Sequence, residues 1–70
     1  MTVIDKVQAY QVEDGDTIRY TYKNHKYILD VKGEPVDTGD RIKIYGYSHE
    51  TGDNITVKFR PDQTVDIMGS

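Results

Sequence analysis

A small all-β domain, folded as an SH3-like barrel of five or six short antiparallel strands, is the architecture this 70-residue sequence predicts, with a minimal OB-like barrel as the alternative. Three features carry that reading. Apolar and polar residues alternate with period two wherever the chain is not turn-like, and no window holds the longer period of an amphipathic helix. The motif Gly-Asp-x-Ile recurs at Gly15, Gly39 and Gly52, each time just ahead of such a run. The chain is also too short for a seven-stranded sandwich, which takes about a hundred residues, whereas a barrel removes the exposed edges that invite aggregation.

Thr17 to Lys23, TIRYTYK, sets Ile18, Tyr20 and Tyr22 on one face and Arg19, Thr21 and Lys23 on the other, because successive side chains of a strand point to opposite sides. Asn24-His25 follows, then Lys26 to Val31, KYILDV, so the spacing predicts a hairpin with Asn24-His25 as its two-residue turn. Gly33-Glu34-Pro35 breaks the pattern. Arg41 to Tyr47, RIKIYGY, places Ile42, Ile44 and Gly46 inward and Arg41, Lys43, Tyr45 and Tyr47 outward. Ser48 to Asp53 reads as a turn. Asn54 to Arg60, NITVKFR, turns Ile55, Val57 and Phe59 inward and Thr56, Lys58 and Arg60 outward. Pro61-Asp62 ends that strand, and in Thr64 to Met68 Val65 and Ile67 share a face. One domain over 1–68 results, with Gly69-Ser70 read as a cloning remnant.

The first two motif copies extend further, VEDGDTIR against VDTGDRIK. The expectation is local: each Gly supplies a backbone conformation that a Cβ penalises, each Asp bonds nearby amides, and each Ile is the first inward residue of the next strand.

Tyr10 to Ile18, YQVEDGDTI, resembles the opening of the lysin-motif family of carbohydrate-binding modules. The resemblance implies a helix directly afterwards, but RYTYKNHKYILDV, rich in Tyr and β-branched residues with period two, is strand sequence instead, so glycan binding is not carried over. Over its whole length the chain is similar in appearance to small β-rich reading frames of bacteriophages, through its V-x-x-G-D-x-I runs and the stretch Val57 to Ile67. That likeness implies no activity.

Composition narrows the function. The net charge of −3 argues against a generic polyanion binder, and the absence of cysteine excludes a disulfide framework and a thiolate metal site and points to the cytoplasm. MTVIDKVQAY holds no apolar run, so neither a leader nor a membrane partner is expected. His25 and His49 read as solvated turn residues outside any metal-ligand spacing, and the acidic turns lack the pattern of a calcium loop. Ser48 and His49 are adjacent with nothing to orient them, and the carboxylates cluster in wet turns, so no catalytic group, metal or cofactor is expected and the chain does not read as an enzyme.

Charge segregation is the informative feature. Basic residues fall in strands and acidic ones in turns, and on the strand face Tyr45 and Tyr47 share a side with Arg41 and Lys43, joined by Lys58 and Arg60 where the two runs pair. Tyr and Arg are frequent anchors of protein interfaces. These six residues are therefore the expected contact surface of a non-catalytic interaction or regulatory module whose partner is another protein. A basic, Tyr-bearing sheet also suits nucleic acid, the alternative partner, and a structural domain of a larger assembly is the third class.

Overall fold

The computed structural model describes residues 2–69, which form an antiparallel sheet curled into a half-barrel. Its strands are β1 (Thr2–Gln8), β2 (Thr17–Tyr22), β3 (His25–Val31), β4 (Val36–Asp37), β5 (Ile42–Ser48), β6 (Asn54–Phe59) and β7 (Thr64–Gly69), with a single 3-10 turn at Ala9–Gln11. The all-β prediction holds. The order is β1-β7-β2-β3-β5, with β6 along one edge of β5 and the two-residue β4 beside β3 along the other. No helix among the described residues is long and apolar enough to cross a membrane.

Of the residues that the alternation set on one face, Ile18, Tyr20, Ile42, Ile44, Phe59 and Val65 enter the core, Ile55, Val57 and Ile67 are half-buried against it and Tyr22 is 58% exposed. Ile18, Leu29, Ile44 and Phe59 are fully enclosed, and Ala9, Val12, Val31, Ile42 and Val65 pack with them. β5 alternates without a fault, every second residue from Ile42 to Ser48 buried. The curl itself shows in one contact: Tyr20 of β2 meets Phe59 of β6 edge-on at 5.1 Å between ring centroids, although those strands share no ladder.

The β2–β3 hairpin departs from the sequence reading by one residue. Its turn is Lys23-Asn24, with φ of 51° and 64°, and His25 already opens β3 opposite Tyr22. Two successive left-handed residues make the tight turn that matches strand twist. The observed register also sets Lys26 opposite Thr21, where the expected one would have faced it with Lys23, a like-charge pair across the ladder. Thus His25 is a strand residue, not a turn residue, its Nε2 3.5 Å from Glu50.

β1 was not anticipated. It runs along β7 from Thr2 opposite Gly69 to Gln8 opposite Thr64, with a bulge between Val3 and Asp5. The Gly-Asp motifs behave locally as expected in part: Gly15, Gly39 and Gly52 all take positive φ. Ile18 and Ile42 are buried while Ile55 is half-buried. Only Asp16 bonds its own turn's backbone, through Glu13 N at 2.9 Å; in the second copy Asp37, not Asp40, receives the Gly39 amide. Val12 is buried whereas its counterpart Val36 is exposed, so the two similar segments occupy unlike places.

Candidate functional site

The β5–β6 hairpin forms as expected, and its register decides which surface residues are neighbours. Lys43 lies opposite Lys58, Tyr45 opposite Thr56 and Tyr47 opposite Asn54, all on the outer face. Tyr45 and Tyr47 stay 47% and 38% exposed. Lys32 approaches the Tyr47 ring at 6.0 Å and bonds Asn54 at 3.1 Å, and His49 stands edge-on to the same ring. Arg41 and Arg60 leave this group. They flank the terminal pair Ile42 and Phe59, just beyond the two strands, where Arg41 donates to the Asp40 carbonyl at 2.8 Å.

At that end the curl opens into a depression of ≈ 340 Å³. Its aromatic wall comes from inward positions of three strands: Tyr20 and Tyr22 of β2, Tyr27 of β3 and Phe59 of β6. Tyr20 and Tyr27 stack at 5.5 Å with their rings 22° apart, so the wall is a packed set and not loose side chains. Burial, with the nearby Tyr27 phenol, pushes the Tyr20 hydroxyl above its ordinary value and keeps it neutral. Tyr22 remains 58% exposed, with the Lys23 ammonium 5.4 Å from its ring centre. Arg41, Lys58 and Arg60 also line the opening, and no carboxylate among the described residues does.

A second depression of ≈ 340 Å³ adjoins the first across Tyr20, Thr21 and Gln63. Its character is polar: Lys6, Arg19 and Lys26 line it with Thr64 and Asp66. Arg19 bonds Asp66 through two nitrogens at 2.9 and 3.1 Å, and Lys6 reaches the other oxygen at 3.2 Å. Desolvation opposes the ionised Asp66, yet these bonds and charges outweigh it and hold the carboxyl below its ordinary value.

Taken together the two depressions are lined by six of the nine Lys and Arg residues and by one of the twelve Asp and Glu residues. The residues lining the two depressions sum to a formal charge of +5 on a chain whose sum is −3, although Lys6 and Arg19 are paired with Asp66. Of the six residues expected to act together, Arg41, Lys58 and Arg60 reach this opening, while Lys43, Tyr45 and Tyr47 stay on the outer face of β5, Lys43 directly opposite Lys58. The sequence reading missed Tyr20 and Tyr22 as site residues because their period set them on the face of Ile18, and it assigned Tyr27 to no face.

His49 is not merely solvated either. Its Nε2 lies 3.0 Å from Asp30 Oδ2, and the Thr17 hydroxyl donates to Asp30 Oδ1 at 2.9 Å. Burial opposes ionisation of Asp30, but those bonds win and lower its pKa. The two shifted carboxylates, Asp30 and Asp66, sit in strands, outside the acidic turns. No group of three or more His, Asp or Glu side chains among the described residues could hold a metal ion. No protein-family model, curated protein or solved structure matches the chain.

Proposed function

We propose that this protein is a non-catalytic binding module that takes an anionic partner at the aromatic, cation-lined end of its half-barrel. The observation that carries the reading is the charge separation: two depressions that meet at one end of the sheet, the aromatic one inside the curl and the polar one on the outer face of β2 and β7, are lined by six of the nine cations of an acidic chain and by one carboxylate, Asp66. A concave, partly apolar surface with a few charged groups is the usual form of a recognition site.

We read the curled sheet as a small SH3-like barrel left open between β1 and β6, ahead of an OB-like one. The support is its meander, in which β2 pairs with β3, β3 with β5 and β5 with β6, while β7 returns between β1 and β2.

A nitrogen-15 NMR titration with tripolyphosphate at low salt tests the anion site. Shifts gathered at Arg19, Lys26, Arg41 and Arg60 are the expected result; shifts spread evenly over all nine cationic residues would overturn it.

The outer face of β5–β6 favours a second reading, a protein partner docked there. Tyr45 and Tyr47 are exposed large rings, and the facing Lys43 and Lys58 repel each other unless an acidic group comes between them. Cross-saturation NMR with a captured partner would map to Tyr45 and Tyr47 on this reading and to Tyr22 on the first.

A further inference from the structure

We infer that the opening seats one nucleotide unit of a single-stranded nucleic acid, its base against the Tyr22 and Tyr27 rings and its phosphate in the adjoining cationic depression; this rests on the anion-binding reading above. The argument lies in how the opening is divided. One compartment is walled by aromatic rings and the other by Lys6, Arg19 and Lys26 with Thr21 and Thr64 and the Asp66 carboxylate that Lys6 and Arg19 bond, so that Lys26 is its cation without a carboxylate partner, and the two meet at Tyr20, Thr21 and Gln63. A ligand that fills both must carry a flat, largely apolar group next to an anion with several acceptor oxygens. A nucleotide has that composition, and base stacking on exposed tyrosine with phosphate contacts to Lys and Arg is how single strands are held without a sequence code.

The aromatic compartment also decides between single and double strands. Tyr20 and Phe59 are 8% and 2% exposed, so the wall lies inside the curl and only Tyr22 stands well out at its lip. A base reaches such a wall only when it is free of its pairing partner. An acidic peptide supplies the charges of the polar compartment, but a carboxylate side chain offers the aromatic wall no π-face.

Fluorescence anisotropy of the full chain tests this with four labelled probes: a twelve-nucleotide single strand, the same sequence as a duplex, an abasic phosphodiester strand of equal length, and a poly-glutamate peptide. The single strand is expected to bind best, weakening about threefold between about 50 and 200 mM salt for the one phosphate seated. Loss of one stacked base typically costs about tenfold, so Tyr22→Ala and the abasic strand should each show that loss. Arg41→Glu with Arg60→Glu should lower affinity for every anionic probe. Both variants are altered only at exposed positions, and circular dichroism should show them folded like the parent. Equal binding of the abasic and base-bearing strands, or preference for the duplex or the peptide, overturns the nucleotide seat while the anion site stands. Failure of every probe to bind, with no effect of the charge reversals, overturns both.

Discussion

Arg19 and Asp66 face each other across the β2–β7 ladder, and the guanidinium places two nitrogens on one carboxylate oxygen, at 2.9 and 3.1 Å. The Asp66 side chain is only 15% exposed and the Arg19 side chain 29%, so the pair is far better shielded than a surface ion pair. It ties the last strand to the second and also cancels part of the charge at the cationic opening.

Asp66→Asn should therefore do two opposite things. Stability falls by about 1–2 kcal/mol at neutral pH, the scale of charged hydrogen bonds, and anionic probes bind more tightly because Arg19 and Lys6 lose their carboxylate partner. The pH dependence has a fixed sign. A folded-state pKa below the unfolded value contributes stability that is complete above the unfolded value of about 4 and is lost as pH falls through the lower, folded one. Urea melts between pH 7 and pH 2 should show a flatter acid limb in the variant than in the parent.

Gly46 is constrained by its neighbour and not by its own dihedral angles. A Cβ there would land on the Asp30 carbonyl oxygen of β3, which is fixed by the ladder that pairs Val31 with Gly46. Gly46→Ala should cost about 2–3 kcal/mol or more, the penalty of forcing atoms into a packed site. Thermal unfolding followed by circular dichroism measures it, and an unchanged midpoint would mean that the β3–β5 junction is looser than described.

The Lys23-Asn24 turn can be improved. Both residues hold left-handed dihedrals that Asn-Gly adopts with less strain. The double change Lys23→Asn with Asn24→Gly should add about 0.5–1 kcal/mol, within the range seen when turn residues match their backbone. Chemical denaturation is the measurement, and destabilisation would point to a contribution of Lys23 through its contact with the Tyr22 ring.

Ser48 is 1% exposed, and its hydroxyl has no hydrogen-bond partner among the described residues. A buried hydroxyl left unpaired costs about 1–3 kcal/mol, so Ser48→Ala should leave stability unchanged or raise it by up to about 1 kcal/mol. A clear loss in the same denaturation assay would show that the hydroxyl is bonded after all.

What the sequence disclosed depended on whether the cause was local. The outer row of Lys43, Tyr45 and Tyr47 with Lys58 opposite was legible because strand alternation and one hairpin are enough to define it. The turn at Lys23-Asn24 was misplaced by one residue, since both registers keep Ile18 and Tyr20 inward and only cross-strand pairing separates them. β1 escaped because Asp5 and Lys6 fall within it and its bulge breaks the alternation. The cationic opening was hidden for a different reason. It joins Lys6, Arg19 and Lys26 to Arg41, Lys58 and Arg60, residues of five strands and their ends, through a strand order and a curl that no short stretch encodes.

The place of β7 has a kinetic consequence. The hairpins β2–β3 and β5–β6 join near neighbours in the chain and can zip within microseconds. β7 slots between β1 and β2, with Thr2 opposite Gly69, so seating it closes a loop over nearly the whole chain and spends entropy before any contact rewards it. Such high contact order makes folding slow for so small a domain, on the order of milliseconds to seconds. Until β7 is seated β1 has no partner and Val65 no place in the core, so its arrival is the step expected to limit the rate.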